Sequence, residues 1–335
     1  MELSATHLAR LRSPFMIGER LFPSRVLQSP LAGVTDRAFR QLVRMHAPRS
    51  LMFTEMVSAS GLHYSRKTPQ VMEMDPGETP IGIQLFDCRP DFLAEAARRA
   101  EDQGANVIDI NMGCPVNKIT RNGGGSSLLR DPATAARIVE VVSGAVHLPV
   151  TVKTRLGWCD SEINVVDFAR HMEQSGAQLI TIHGRTRAQG FNGPARWDYI
   201  TQVKQNVRIP VIANGDIFSI DAAILCLETT GADGVMCSRG TMGAPWLVGQ
   251  IDHYLQTGER PVEPTVRERL TIAQAHLHLL HELKGAPGVR QARKHLGWYV
   301  RNFSGAAELR AQLTRIETVG AGDNILTEAM DRLAG

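Results

Sequence analysis

Short apolar runs rich in β-branched residues recur along the chain, and stretches with helical spacing lie between them. Strands are predicted at 26–32, 50–56, 81–86, 106–111, 149–154, 179–183, 210–214 and 233–237. Intervening helices are predicted at 90–103, 131–145 and 163–175. Asp131 before Pro132 is typical of a helix start, and Gly104 and Gly176 suit helix ends. Eight alternations of strand and helix predict an α/β protein with a (β/α)₈ TIM barrel.

A doubly wound dinucleotide-binding sheet is the alternative for such a pattern. It requires a G-x-G-x-x-G turn after the first strand, whereas the turn here runs from Leu31 to Asp36 as LAGVTD. A G-x-x-x-x-G-K-[ST] phosphate loop is also missing from the sequence. The barrel is therefore preferred.

The pattern changes after Gly243. The segment 252–265 suggests a helix end followed by a proline-containing linker, and apolar residues then recur every three or four positions from Val266 to Leu283. Further helices are predicted at 289–303 and 305–318. These features predict two domains, a barrel over 1–250 and a helical domain over 251–335.

Composition narrows the class of protein. The 335 residues are 43% hydrophobic and 21% charged with a formal net charge of +3, which favours a globular protein and leaves nucleic-acid binding open. Five cysteines without a C-x-x-C pair predict neither disulfides nor zinc, and indicate a reducing cytoplasm. Charged residues interrupt the first 25 positions, so neither a signal peptide nor a membrane span is predicted. Of His276, His278 and His281, only the last two share a helical face, and the cluster is interpreted as part of a solvated helix and not as a metal site.

Polar residues collect where the predicted strands end, which is where such barrels carry their active sites. They are Gln84, Asn111 to Pro115, Lys153, Arg155, His183 to Arg185, Asn214 to Asp216 and Ser238 to Gly240. A single polar residue in a strand is usually a satisfied core group, but this repetition over six strands predicts a site.

Four of these positions suggest an anionic ligand. Gly215, Arg239 and Gly240 follow the last two strands, the usual phosphate site of TIM barrels, although both glycines also suit tight turns. Lys153 in an apolar strand is explained by an anionic partner such as a reduced flavin, or by snorkelling to solvent.

Cys114 lies at a strand end, before the glycine-rich run 123–127, and is a candidate reactive residue under a mobile lid. A thiol with a pKa of about 8.5 suits a general acid. A nucleophilic thiolate and a buried small apolar residue are the competing interpretations.

These motifs, in this order, resemble the tRNA-dihydrouridine synthase family, most closely its bacterial B type. The resemblance covers about 26–303 and rests on the segments Pro30 to Asp36, Gln84, Asp109 to Pro115 with Lys118, Val152 to Trp158, His183 to Arg187, Ile212 to Asp216, and Arg293 to His295 with Trp298 and Tyr299. The family has an FMN-binding barrel followed by a helical tRNA-recognition domain.

The resemblance implies a set of site residues. FMN is expected at Pro30, Leu31, Ala32, Gln84, Lys153, His183, Asn214, Gly215, Asp216, Ser238 and Arg239. From position and charge, uracil or tRNA is further expected at Asn111, Lys118, Arg121, Arg155, Arg185 and Arg187, and at Arg293 and Lys294 in a basic run that has no acidic residue between Leu283 and Ala307; His183 is a further candidate for contacting uracil. Leu31 replaces the family's usual methionine, and Ser238 stands where glycine is common.

The implied reaction reduces the C5–C6 double bond of specific uridines in tRNA, with hydride passing from flavin N5 to C6 and a proton from Cys114 to C5. NADPH or NADH is expected as the electron donor, and no obligate protein partner is implied. Two alternatives remain at this stage: an FMN-barrel reductase of a small enone or pyrimidine, and a noncatalytic tRNA-binding barrel.

Overall fold

A closed parallel barrel forms the larger part of the computed structural model, which describes residues 5–65 and 69–333. The strands are β1 (Phe15–Ile17), β2 (Arg20–Phe22), β3 (Val26–Gln28), β4 (Met52–Phe53), β5 (Val57–Ser58), β6 (Ile81–Phe86), β7 (Val107–Met112), β8 (Val150–Arg155), β9 (Leu179–His183), β10 (Val211–Asn214) and β11 (Gly234–Cys237). Around the barrel the strands from β3 to β11 pair in chain order, and β11 pairs with β3 to close it. The predicted TIM barrel is confirmed.

The second barrel strand differs from the prediction of one run over 50–56. It is divided into β4 and β5, which pair in parallel with opposite ends of β6. The Thr54 amide still donates to the Gly82 carbonyl at 3.0 Å, the ladder is interrupted after it, and Met56 lines the cavity described below.

Helices surround the barrel and form the C-terminal part of the chain. They are α1 (Ala5–Arg12), α2 (Arg37–His46), α3 (Ala59–Tyr64), α4 (Pro90–Asp102), α5 (Asn117–Thr120), α6 (Pro132–Ser143), α7 (Val165–Gln174), α8 (Asp198–Asn206), α9 (Ile220–Thr230), α10 (Leu247–Thr257), α11 (Val266–Lys284), α12 (Ala286–Tyr299), α13 (Ala306–Leu313) and α14 (Val319–Arg332). As predicted, Asp131 caps α6, where its side chain accepts a hydrogen bond from the Thr134 amide.

A β-hairpin closes the amino-terminal end of the barrel. The strands β1 and β2 pair antiparallel, and their residues Phe15, Ile17 and Phe22 are buried. These side chains belong to one apolar cluster with interior residues of the strands, which include Leu27, Phe53, Leu179, Ile212 and Met236. The barrel is therefore filled at this end by apolar side chains.

The helical region begins after α10, the last helix packed on the barrel strands. The capping box of Thr265 and Glu268 starts α11, whose residues Leu270, Ala273 and Leu277 are buried, as the apolar spacing predicts. The helices α12 and α13 correspond to the predicted helical segments, and α14 was not predicted. Because residue 250 falls inside α10, we propose that the boundary between the domains lies in the segment 258–265.

Packing of α11 corrects one sequence-based interpretation. His276 is fully buried, not solvated, because α2, α12 and α14 all pack on α11 and cover more of its surface than a narrow stripe. His278 is exposed and pairs with Asp323, as a solvated position would. Across residues 5–65 and 69–333, no helix is both long and apolar enough to cross a bilayer.

Candidate active site

The open end of the barrel contains a cavity of about 290 Å³. It lies at the carboxyl ends of the strands, where a TIM barrel carries its site. Every residue expected to hold FMN lines it, and so do Cys114, Asn111 and Arg155. The strand-end pattern in the sequence thus identified residues that the fold brings together.

Strand register explains why these side chains converge. Alternate residues of a strand point to the same side, and the pairs Gln84 with Asp109 and Asn111 with Lys153 are in register. One step further along, Arg155 is in register with His183. The polar side chains therefore form successive layers above the apolar floor.

The lowest polar layer is a hydrogen-bonded network beneath the cavity. Asp109 accepts bonds from Gln84 Nε2 at 2.6 Å and from Thr151 Oγ1 at 2.6 Å. Burial raises the pKa of Asp109 to about 6, against the lowering effect of these hydrogen bonds. Gln84 Oε1 in turn accepts a bond from Asn111 Nδ2 at 2.8 Å. Because the Asp109 carboxylate accepts from the Gln84 amide nitrogen, it sets the orientation of the Gln84 amide and, through it, that of the Asn111 amide.

Asn111 orients the loop that carries Cys114. Its Oδ1 accepts hydrogen bonds from the amides of Gly113 at 3.2 Å and Cys114 at 2.9 Å. The Cys114 side chain is nearly buried at the cavity wall, and burial raises the pKa of its thiol. The thiol therefore stays protonated at neutral pH, as a proton donor must.

The glycine-rich run after Cys114 is packed, which differs from the mobile lid expected from its sequence. Residues Gly125–Arg130 form a 3₁₀ helix, and Ser126 is buried. Both the amide and the hydroxyl of Ser126 donate to the Cys114 carbonyl, at 3.0 Å each. Gly125 has φ +60°, and a Cβ there would lie 2.7 Å from that carbonyl, so glycine permits this close packing.

Lys153 is held in the wall by a neutral partner. Its Nζ donates to Asn214 Oδ1 at 3.1 Å, and Asn214 Nδ2 donates to Ser238 Oγ at 2.8 Å. Burial, followed by the nearby Arg155 cation, lowers the pKa of Lys153 to about 8. Since Ser238 accepts this bond from Asn214, its own hydroxyl hydrogen is available to a ligand.

Arg155 and His183 form the upper wall. Arg155 donates to the carbonyls of Gly113 at 2.9 Å, Thr186 at 3.0 Å and Gly190 at 2.8 Å, so its guanidinium is fixed by backbone. Burial lowers the pKa of Arg155 to about 10. Burial and the surrounding cations, with Arg155 the largest contributor among them, lower the pKa of His183 well below its usual range, so the ring is neutral.

An ion pair supports the last two strand-end turns. Arg185 Nη2 donates to both carboxylate oxygens of Asp216, at 2.8 and 2.7 Å, and Arg239 reaches the same carboxylate at 3.4 Å. The backbone is left-handed at Gly215, with φ +117°, and at Asp216, with φ +59°. A Cβ on Gly215 would lie 2.9 Å from the Ala195 Cβ, so this turn depends on glycine.

Several residues expected to contact tRNA lie away from the cavity. The Arg185 side chain is only 3% exposed and does not line it. Lys118 and Arg121 are exposed on the rim, and Arg187 donates to Asn117 Oδ1 at 2.6 Å. In the helical domain, Arg293 Nε donates to the Ile316 carbonyl at 2.7 Å, whereas Lys294 is exposed.

Sequence patterns missed several residues that line the cavity, among them Met56, Phe191 and Phe218, and one residue beneath it. Phe191 and Phe218 are 54% and 53% exposed, and the Arg239 guanidinium lies 4.6 Å and 5.7 Å from their ring centroids. They occupy loops, where no hydrophobic period marks a position. Met56 lines the opposite wall, and only Asp109, an acid in an apolar strand, gave a sequence signal without receiving a role.

The cysteines and the possible metal ligands of residues 5–65 and 69–333 form neither a disulfide nor a metal cluster. All five cysteines lie in the described segments as free thiols, and burial raises the pKa of Cys237 to about 12. Within the described part of the chain, no group of histidine, cysteine and acidic side chains could hold a metal ion.

One similarity to a solved structure concerns the fold. The histamine dehydrogenase of Rhizobium sp. 4-9 superposes with a TM-score of 0.57 at 15% sequence identity, over 82% of this chain and 51% of that one. The chain thus spans about half the length of that protein. At this identity the match supports the barrel architecture alone.

Sequence relatives are much more similar. A protein of Synechocystis sp. named "Probable tRNA-dihydrouridine synthase 1" is 62% identical over 95% of this chain and 89% of its own length. The tRNA-dihydrouridine synthase B of Pseudomonas aeruginosa is 43% identical over 91% of this chain and 92% of its own. The family model described as "Dihydrouridine synthase (Dus)" matches residues 27–334. The chain therefore belongs to the dihydrouridine synthase family, as its motifs predicted.

Proposed function

We propose that this enzyme uses FMN and NADPH to reduce the C5–C6 bond of specific uridines in tRNA to 5,6-dihydrouridine. The observation that carries the proposal is that the Cys114 thiol, whose pKa burial raises, shares one cavity with Lys153, Arg155 and Arg239. Membership of the family supports tRNA as the substrate class.

The residues around the cavity suit FMN. Its phosphate would lie at Gly215, Ser238 and Arg239, where left-handed backbone and a guanidinium favour an anion. A Cβ on Gly240 would lie 2.2 Å from the Ile217 carbonyl, so the turn keeps its backbone close to the cavity only with glycine there. Lys153, with a neutral partner, would face the flavin ring together with Gln84, and Pro30, Leu31 and Ala32 would form its apolar border.

When bound and reduced by NADPH, FMN would supply the hydride that adds at C6 of uracil. Negative charge then develops over C5 and O4 of the pyrimidine ring. Cys114 Sγ gives its proton to C5, and the Asn111 hydrogen bonds hold the Cys114 loop where that transfer can occur. The low pKa of His183 leaves a neutral imidazole, which can donate to uracil without carrying charge into the cavity.

A uridine reaches such a cavity only when it leaves the tRNA stack, which costs a few kcal/mol. We assign tRNA binding to the helical domain and to the basic rim, which includes Lys118, Arg121 and Arg187. Arg185 is buried against Asp216, so we assign it to holding that turn instead of contacting RNA. We place the enzyme in the cytoplasm and invoke no obligate protein partner.

The test separates the two half-reactions in Cys114→Ala. Reduction of bound flavin by NADPH should stay within about twofold of wild type, while dihydrouridine formation in tRNA should fall by roughly 10²–10⁴-fold. Cys88→Ala is the matched control, because Cys88 is a half-buried thiol of a neighbouring loop that does not line the cavity. Equal loss in both half-reactions would show that Cys114 has a structural role.

The same preparation decides between the remaining functions. Oxidised-flavin absorbance in purified wild type would exclude a noncatalytic barrel. Rapid reduction of free uridine or a small enone, without activity on tRNA, would instead establish a small-molecule reductase.

A further inference from the structure

Three buried side chains of the helical domain form a hydrogen-bonded chain that ends on the barrel. Tyr299 Oη lies 3.0 Å from His276 Nδ1, and His276 Nε2 lies 3.4 Å from His295 Nδ1. His295 Nε2 lies 3.1 Å from the carbonyl oxygen of Gly33, in the turn after β3. The exposed fractions of Tyr299, His276 and His295 are 0%, 0% and 1%.

The hydrogen bonds that link these three side chains can be donated in one direction only. The Gly33 carbonyl only accepts, so His295 carries its hydrogen on Nε2. Burial lowers the pKa of His295, and lowers that of His276 to about 3, so both rings are neutral. His295 Nδ1 must therefore accept from His276 Nε2, and His276 Nδ1 must accept from the Tyr299 hydroxyl. Every polar atom along the chain is then satisfied.

The same turn is held at a second point. Asp36 accepts hydrogen bonds from Lys284 Nζ at 2.5 Å and from Gln291 Nε2 at 2.8 Å. Asp36 also caps α2 through the Phe39 amide at 3.0 Å. Side chains of α11 and α12 thus form hydrogen bonds to Asp36 at the end of the turn as well as to Gly33 in its middle.

The turn itself connects these hydrogen bonds to the cavity. Leu31 and Ala32 line the cavity, and Gly33 follows directly. The Leu31 carbonyl accepts from the amides of Val34 at 3.0 Å and Thr35 at 2.9 Å, while the Leu31 amide donates to Thr35 Oγ1 at 2.8 Å. A displacement of the Gly33 carbonyl must therefore move Leu31 and Ala32 with it.

We propose that His295, backed by His276 and Tyr299, positions the Leu31–Ala32 wall of the flavin site, so that the helical domain is a structural part of cofactor binding. None of the three side chains lines the cavity, and each acts as a positioning residue. The inference rests on the proposed binding of FMN in this cavity.

The experiment measures the dissociation constant of FMN for refolded or flavin-stripped full-length protein, by flavin fluorescence. His295→Ala removes the donor to Gly33 and should weaken FMN binding about 10-fold. His295→Gln restores an N–H donor of similar reach and should recover part of that loss. His278→Ala is the control on α11, because His278 faces Asp323 on the exposed side, and it should bind like wild type.

Circular dichroism confirms that each variant is folded before FMN is added. If His295→Ala does not fold, Tyr299→Phe serves in its place, because it deletes one oxygen at the far end of the chain and should weaken FMN binding about threefold. FMN binding within error of wild type in a folded variant would overturn the inference. A wild-type protein that binds no FMN would refute the proposed function instead.

Discussion

Lys153 Nζ and Asn214 Oδ1 lie 3.1 Å apart inside the barrel, and this neutral amide is the side chain to which the buried ammonium donates. The positive charge is therefore not neutralised by a hydrogen-bonded carboxylate in the described part of the chain. Asp109 favours the Lys153 charge through space, without a hydrogen bond to it, and a buried ammonium so placed attracts an anionic ligand.

The first prediction concerns that charge. Because the pKa of Lys153 is about 8, raising the pH from 7 to 9.5 should neutralise it and weaken FMN binding progressively. Lys153→Met should weaken binding roughly 10–100-fold at pH 7, the range for a lost hydrogen bond to a charged group, and should flatten the pH dependence. Fluorescence titration across pH measures both effects.

The matched control is Lys204→Met. Lys204 is a partly buried lysine of α8 that pairs with Asp233 outside the cavity. Its substitution should leave both the affinity and the pH profile unchanged. An unchanged FMN profile in Lys153→Met would mean that Lys153 does not face the cofactor.

The second prediction concerns Asp216. Asp216→Asn preserves side-chain size and tolerates the left-handed backbone, but leaves the buried Arg185 guanidinium without its carboxylate. Loss of one partner of a buried pair should lower the free energy of unfolding by about 3 kcal/mol, measured by urea denaturation. Asp221→Asn, which removes an exposed partner of Arg260, should have little effect. Equal stability of the two variants would contradict this role of Asp216.

The third prediction concerns the outer surface of α12. Arg290 and Lys294 are exposed, whereas Arg293 and Lys284 are engaged by Ile316 and Asp36. If the exposed pair contacts RNA phosphates, Arg290→Ala with Lys294→Ala should weaken tRNA binding and lower the log–log salt slope by about 1–2. FMN content should not change.

Two exposed arginines on outer barrel helices, Arg137 and Arg170, provide the comparison for charge alone. Their double alanine variant should retain the wild-type slope. The same slope in both double variants would remove this surface of α12 from the tRNA interface.

The fourth prediction concerns acid stability. His276 titrates at about 3 in the folded protein, because burial and then His295 and Lys284 oppose its charge while Asp36 favours it, and near 6.5 when unfolded. The unfolded chain thus binds the extra proton between these values. The free energy of unfolding should fall as the pH decreases from 6.5 towards 3, by up to about 1.4 kcal/mol per pH unit from this residue.

Urea midpoints measured at several pH values test this dependence. His276→Phe, which pairs an aromatic ring with the neighbouring Phe39, should remove that part of the slope. His278→Gln, on the exposed side of the same helix, should retain it. A pH dependence unaltered in His276→Phe would show that other groups control acid unfolding.

The sequence was most informative where residues repeat with the regular spacing of a strand or a helix. Parallel strands place alternate residues on one side, so Gln84, Asn111, Lys153 and His183 could be assigned to one end of a barrel from spacing alone. The division between β4 and β5 could not be predicted, because an apolar run does not reveal where its backbone leaves the ladder. The helix α14 begins with Gly320 and Gly322 in its first turns, and glycine weakens a helical signal.

Contacts between side chains that are far apart in the sequence could not be predicted from it. The residue type and position of Arg185 suggested contact with RNA, yet it is buried because Asp216, on the next strand-end turn, accepts two hydrogen bonds from it. Phe191 and Phe218 lie in loops, and the fold of those loops brings both rings to the cavity. His276 is buried through packing of separate helices, which a single helical stripe does not encode.

The apolar floor formed by β1 and β2 has a consequence for turnover. Phe15, Ile17 and Phe22 fill the barrel at its amino-terminal end, and the cavity lies at the carboxyl ends of the strands, so nicotinamide and uridine would both reach the proposed flavin from that side. They cannot stack on one ring face together. Under the proposed function the two half-reactions must therefore take place one after the other. An excess of either substrate should inhibit the half-reaction of the other.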